Sequence, residues 1–258
     1  MGKKRAMITG AASGIGRATA ELFAGRGWQV GLADRDGEGV RNLAAQLGPE
    51  RAVACPCDVT DPESVAGALE ALCGSDGGLD LLVNSAGVLH IGPFEELARA
   101  AHLQLIDVNA RGVLETLLAA FPRLAAARGR VVNLASASAA YGSPDYATYS
   151  ATKMFVRGLS EALDIEWRRH GIRVAYVMPA FVRTPMIDGW RSGAMDRLGV
   201  QLEAEDVADV VWRAAHGRRL CWHVGWRYRL LRALTEPLPM AAKRTMMRWV
   251  SGYPESAQ

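Results

Sequence analysis

Tyr149 and Lys153 stand four residues apart in a stretch whose apolar residues recur at helical spacing, so a phenol and an ammonium share one helix face. A phenol ordinarily keeps its proton to near pH 10. To trade protons near pH 7 it needs roughly 4 kcal/mol of preferential stabilisation of the phenolate. A neighbouring cation supplies this, so the pair reads as a proton-transfer acid/base in which Lys153 lowers the hold of Tyr149 on its proton. The other lysines, Lys3, Lys4 and Lys243, lie in the terminal segments of a chain that otherwise uses arginine. The Lys153 site therefore asks for an ammonium and not a guanidinium. Tyr146 is seven residues before Lys153, too far for adjacent-turn contact, and is expected to line a pocket instead. Taken singly, Tyr149 also suits a core aromatic, Lys153 a solvated helix residue, and Ser136 a strand-end cap.

A second constellation lies near the N-terminus. Gly10, Ser13, Gly14, Ile15 and Gly16 fall in a turn between an apolar run and a helix-periodic one. Glycines there let the backbone approach a pyrophosphate, and the helix start offers free N–H groups and partial positive charge. The spacing is G-x3-G-x-G, which differs from the commoner dinucleotide fingerprint. Asp34 ends the next apolar run, where a carboxylate can accept both hydroxyls of an adenosine ribose and repel a 2′-phosphate. That favours NAD. Arg35 beside it can hold a 2′-phosphate, so NADP stays open. Asp58 and Asn84 end the third and fourth runs, within range of an adenine. Asp58 also suits a turn or cap.

These residues need strands and helices to position them. Apolar runs at residues 6–9, 30–33, 51–56, 79–83, 130–134, 173–178 and 220–224 read as strands. Helical periodicity covers 15–26, 39–47, 62–72, 93–128, 149–170 and 203–216, with Asp61 as N-cap and Pro62 in the first turn of the third of these. The alternation predicts an α/β fold: a doubly wound parallel sheet of about seven strands, with helices on both faces and ligands at the carboxyl ends of the strands. Residues 181–200 have weak periodicity and follow the sixth strand, so they should overhang that edge as a lid or a surface loop.

The length of 258 residues suits a single dinucleotide-binding and catalytic domain, residues 1–258, ending in a basic, aromatic-rich helical extension at 226–258. No apolar run reaches the 18 residues of a membrane span. Residues 1–5 are basic, but only Ala6, Met7 and Ile8 follow before polar Thr9 and Gly10, so a cytoplasmic protein is expected. Cys55 and Cys57 lack metal-ligand spacing and read as free buried thiols. His90 and His102 suggest no metal site.

The combination resembles the short-chain dehydrogenase/reductase family in its single-domain form, over residues 6–224. The resemblance rests on Thr9-Gly10-x3-Gly14-Ile15-Gly16, Asn84-Ser85-Ala86-Gly87, Asn109, Ser136 and Tyr149-Ser150-Ala151-Thr152-Lys153, with 13 residues from Ser136 to Tyr149. Two positions depart from the family pattern: Ser85 replaces the usual asparagine, and Ala180 the usual glycine after Pro179. The resemblance implies a Rossmann-like fold and a catalytic set of Asn109, Ser136, Tyr149 and Lys153. In that set Ser136 holds the substrate oxygen, Asn109 positions a water linking Lys153 to solvent, and Lys153 also bonds the nicotinamide ribose. It further implies cofactor contacts at Val59, Ala86, Gly87, Pro179 and Thr184, beyond those already named, and assembly as a homodimer or homotetramer.

Pocket walls are expected from Leu89, Ala137, Tyr141, Tyr146, Phe181, Met186 and Trp190. These are mostly apolar, so the expected substrate is a small hydrophobic alcohol or ketone. The expected activity is NAD-linked hydride transfer to or from that substrate. The alternatives are an NADPH-dependent carbonyl reductase and a dinucleotide-binding scaffold without turnover. From residue 217 to 250 there are eight Lys/Arg against one acid, Glu236, interleaved with aromatic residues. Such a tail packs on its own subunit or a neighbour, or it contacts a membrane surface. No nucleic-acid partner is expected, because no recognised module is present.

Overall fold

The computed structural model describes residues 3–75 and 77–253. Met1 and Gly2 of the basic N-terminus, and residues 254–258 and the side chains of Arg227 and Leu231 of the C-terminal extension, lie outside the described residues. The first apolar run forms strand β1 (Arg5–Thr9), buried after its first residue. A turn leads to helix α1 (Gly14–Gly25) and strand β2 (Gln29–Asp34). Helix α2 (Gly37–Leu47) starts where the Asp36 carboxylate accepts from the Gly39 N–H, and strand β3 (Ala52–Pro56) follows. Helix α3 (Pro62–Cys73) is capped by Asp61 with Pro62 in its first turn, as expected.

Strand β4 (Leu81–Asn84) is buried throughout. The expected long helix at 93–128 is corrected. Residues 93–98 form turns in which the Glu96 and Leu97 N–H groups return to the Pro93 carbonyl. Helix α4 (Arg99–Ile106) runs through a π-helical turn (Asp107–Arg111) into helix α5 (Gly112–Ala127). Strand β5 (Arg130–Leu134) leads to a 3₁₀ turn (Ala137–Ala139) and helix α6 (Ala147–Glu166), which ends in a 3₁₀ turn (Trp167–His170). Strand β6 (Arg173–Met178) comes next.

The expected overhanging segment has its own small framework. Strand β7 (Val182–Arg183) pairs in parallel with β8 (Leu202–Glu203) across a 3₁₀ turn (Pro185–Ile187) and helix α7 (Gly193–Leu198). Helix α8 (Ala204–His216) opens on a capping box of Glu203 and Asp206. Strand β9 (Cys221–His223) and helices α9 (Trp226–Thr235) and α10 (Met240–Ser251) complete the described chain.

Among the described residues the main sheet is all parallel, in the order β3-β2-β1-β4-β5-β6-β9. The central strands are continuous apolar runs because both faces are covered. On one face Phe23, Val40, Leu43, Val207 and Val211 pack beneath α1, α2 and α8. On the other, Leu69, Leu72, Leu117, Leu124 and Val156 pack beneath α3, α5 and α6. The chain moves outward from β1 to β3 and then returns to lay β4 on the other side of β1. This switch of direction opens a crevice at the carboxyl ends of β1 and β4, where a doubly wound sheet takes its ligand.

Candidate active site

The crevice begins at the glycine turn after β1. Gly10 has φ +70°, and a Cβ there would lie 2.9 Å from the backbone of Ala86. A Cβ on Gly16 would lie on the Gly10 carbonyl oxygen. Neither position accepts a side chain without moving backbone, so the glycines bring β1, α1 and β4 into close approach. The Thr9 hydroxyl accepts from the N–H groups of Ser85 and Ala86, each at 3.0 Å, and holds the two strand ends together. Ser13 caps α1 without using its side chain, and it lines the crevice. The start of this 12-residue helix therefore presents orphan N–H groups to a site suited to an anion.

Asp34 ends β2, and its carboxylate accepts from the Ala12 and Asp36 N–H groups, both at 3.0 Å. Asp34 and Arg35 both line the cavity. Asp58 lines it too, and it is also a turn residue. Its carboxylate accepts from the N–H and hydroxyl of Thr60 at 2.9 and 2.7 Å, and these bonds hold it below its ordinary range. Val59, Ala86, Gly87, Pro179 and Thr184 line the same space. Asn84 does not. Its side chain donates to Asn133 at 2.9 Å and accepts from Thr116 at 2.8 Å, within a buried polar chain that continues to Ser160. It lies beneath the crevice, tying β4, β5, α5 and α6 together.

A cavity of about 750 Å³ joins this crevice to Ser136, Tyr149 and Lys153. Ser136 caps the turn after β5, accepting from the Ser138 N–H at 3.2 Å, and lines the cavity with Tyr149. Lys153 follows one turn after Tyr149. Its Nζ donates to the Leu134 carbonyl at 2.9 Å and lies 5.7 Å from the centre of the Tyr149 ring. Asn109 sits in the π-helical turn, fully buried and outside the cavity lining. Its side chain clasps the Val88 backbone, accepting from the N–H at 2.8 Å and donating to the carbonyl at 2.9 Å. Gly87 passes between Asn109 and Lys153: a Cβ there would stand 3.2 Å from Asn109 Oδ1 and 3.7 Å from Lys153 Nζ.

Lys153 was expected to lower the hold of Tyr149 on its proton. Burial works against this and pushes the phenol up to about 12, with Ser136 opposing the burial. Burial also draws Lys153 down from its ordinary 10.5 to about 8. At neutral pH Lys153 is still charged and Tyr149 still protonated.

The apolar walls are largely where the residue types suggested. Leu89, Ala137, Tyr141, Tyr146, Phe181 and Met186 line the cavity. Tyr146 is 4% exposed and pairs its hydroxyl with Ser192 at 2.7 Å. Trp190 is absent from the lining; its ring lies edge-on to His90, whose Nε2 meets Gln104 at 2.8 Å. His102 is engaged with Thr148 and Phe94. Among the described residues no three His, Cys, Asp or Glu gather as a metal site. Cys55, Cys57 and Cys73 are buried free thiols.

Sequence reasoning missed the last wall. Tyr228, Arg232 and Thr235 of α9 and Met246, Met247 and Val250 of α10 close the cavity. The basic tail therefore packs on its own chain. The signal was present as the 4-and-3 spacing of Tyr228, Arg232 and Thr235, which puts them on one helix face. Nothing in the spacing marked that polar face as the inner one. The outer face carries Trp226, Leu230 and Leu234, at 69%, 54% and 64% exposure.

Residues 4–194 match the family described as short chain dehydrogenase. D-threitol dehydrogenase of Mycolicibacterium smegmatis is 38% identical over 202 residues, covering 76% of this chain and 78% of that protein. Among solved structures, a short chain dehydrogenase from Burkholderia cenocepacia in complex with NADP superposes with TM-score 0.81 at 25% identity, over 98% of both chains. The 3-ketoacyl-(acyl-carrier-protein) reductase of Brucella melitensis, complexed with NADH, gives TM-score 0.78 at 28% identity, over 86% of this chain and 96% of that one.

Proposed function

The chain belongs to the short chain dehydrogenase family and is a nicotinamide-dependent oxidoreductase, and from that premise we propose that it moves hydride between NAD and a hydrophobic alcohol or ketone, with Tyr149 as acid/base. One observation carries the reading: Tyr149, one helical turn from the Lys153 ammonium, lines with Ser136 the same cavity as the glycine turn. Family membership replaces the scaffold alternative.

The nicotinamide, when bound, supplies or accepts the hydride. The glycine turn and the α1 N-terminus hold the pyrophosphate, and Asp34 receives the adenosine ribose hydroxyls. Gly87 and Lys153 border the nicotinamide ribose. Ser136 donates to the substrate oxygen and keeps it against Tyr149, which gives a proton to the developing alkoxide or removes one from the alcohol. Lys153 stabilises the phenolate left behind. Asn109 is a positioning residue: its clasp on Val88 holds the backbone beside Gly87 and keeps a proton path from Lys153 to solvent in register.

Asp34 favours NAD. The presence of Arg35 in the same lining supports the second reading, an NADPH-dependent carbonyl reductase. Titration of the protein with each reduced cofactor separates them. NADH is expected to bind at least about tenfold tighter, or 1.4 kcal/mol; tighter NADPH would select the second reading. With NAD, turnover is expected to rise from D-threitol, the substrate in the relative's name, to secondary alcohols of increasing chain length. A preference for the small polyol would overturn the apolar-substrate reading.

The exposed apolar residues Leu114 and Leu118 of α5, with Phe155 and Ile165 of α6, support assembly as a homodimer or homotetramer. The outward stripe of α9, with exposed Met240 and Trp249 and the basic charge of the tail, supports peripheral contact with an anionic lipid surface. No helix among the described residues is long and apolar enough to cross a membrane. Co-sedimentation with phosphatidylserine vesicles at low salt is the expected result. Protein that stays in the supernatant removes the lipid contact.

A further inference from the structure

We propose that the end of the cavity walled by α9 is a binding site for an anionic head group, a carboxylate carried by the substrate at the end remote from its reacting carbon. The inference rests on the reading of Tyr149 and Ser136 as the reacting end. It names what occupies the opposite end.

Helix α9 is turned inside out for a helix in water. Its apolar stripe Trp226, Leu230, Leu234 faces outward, while Tyr228, Arg232 and Thr235 face the cavity. A polar inner face in an otherwise apolar pocket lowers stability unless something uses it. Part of it is unused by the protein itself. The Tyr228 hydroxyl is buried without a hydrogen-bond partner, and so is the hydroxyl of Ser138, a residue that also borders the cavity. Tyr141 and Thr235 pair their hydroxyls at 3.0 Å.

The charge is of the right sign. The Arg232 side chain is only 14% exposed. Glu236, 63% exposed, takes a 2.8 Å bond from one of its terminal nitrogens on the solvent side. A guanidinium has five N–H donors in a planar fork, so donors remain for a second carboxylate. Tyr228 is an electrostatic neighbour of Arg232. The surrounding charges are Arg157, paired with Glu161 at 2.9 Å, the weakly basic His223, and Lys243, whose Nζ bonds the Glu236 carbonyl and lies 5.7 Å from the Tyr141 ring. Arginine and lysine here number one more than the two acids, and the lysine lies over the Tyr141 ring at the same end of the cavity.

Both ends open into one cavity of about 750 Å³. Leu89, Phe181, Met186 and Met246 line the cavity along with both ends. A ligand with a ketone or hydroxyl, an apolar chain and a terminal carboxylate matches all three regions.

Calorimetric titration of the NAD-saturated protein with decanoate tests this without requiring turnover, so it fails or succeeds independently of the hydride-transfer reading. The expected result is binding that weakens at least tenfold in Arg232→Met and is largely restored in Arg232→Lys. Methyl decanoate should bind the parent at least tenfold more weakly than the acid and be indifferent to Arg232→Met. Variants are compared only where they bind NAD as the parent does. Failure of the parent to bind decanoate, equal binding of acid and ester, or equal loss of both in Arg232→Met would each overturn the proposal.

Discussion

Replacing Tyr149 by phenylalanine is expected to lower kcat by ~10²–10⁴, the contribution of a positioned acid/base, while the dissociation constant for NAD stays within about twofold. Ser136 keeps its bond from the Ser138 N–H, so the turn after β5 should hold its shape and thermal stability should barely change. The ring is retained, so the contacts of Tyr146 with its face, at 6.4 Å between centres, also persist. Kinetics and cofactor titration on the same preparation separate chemistry from binding. Retention of more than about a tenth of parental kcat would remove Tyr149 from the mechanism.

The parent's pH profile carries the same argument. Burial alone pushes the phenol up to about 12. The oxidation rate with cofactor and alcohol bound should nevertheless plateau well below that pH, because Lys153 and the positive nicotinamide then favour phenolate. A profile still rising at pH 11 would mean that these charges fail to reach the phenol.

Lys153→Met is the second large effect, and it should move activity and stability in opposite directions. Lys153 is buried and held at about 8 instead of 10.5. An unfolded chain keeps this proton to about pH 10.5 and the folded chain only to about 8, so the unfolded state binds more protons between them. Stability therefore rises with pH through that window, and below 8 the charged lysine costs on the order of 3 kcal/mol. Methionine removes that cost and fills similar volume. It leaves the Leu134 carbonyl without its charged donor at 2.9 Å, a loss of about 2 kcal/mol.

The net expectation at pH 7 is a gain of roughly 1 kcal/mol and a melting temperature about 2–4 °C higher. Activity should fall at least ~10²-fold, since nothing then offsets the burial of the phenol. The stability gain should shrink as pH rises from 8 to 10.5, where the parent loses its buried charge. Thermal melts of both proteins across that range check it. A variant less stable than the parent at pH 7 would show that Lys153 is held by more than one carbonyl.

Much of this architecture is legible in the chain. Strands β5 and β6 fall at the residues their apolar runs mark, because a central parallel strand is covered on both faces and needs an unbroken apolar run. The start of α4 was not legible. Phe94 and Leu97 continue the helical spacing, but the backbone there closes turns on Pro93. Nor was the role of Asn84, whose side chain enters a buried network with partners 32 and 49 residues away.

The sequence by itself determined that Tyr149 and Lys153 share a helix face, that a glycine turn opens the first helix, and that Asp34 ends the second strand. These are local facts, set by helical period and strand alternation. Tertiary structure decided the rest. Whether Lys153 or burial governs the proton on Tyr149 depends on how much water neighbours distant in the chain exclude. Whether Tyr228 and Arg232 face solvent or substrate depends on which side of α9 meets the sheet. Spacing sorts a helix into faces, but only packing chooses the buried one.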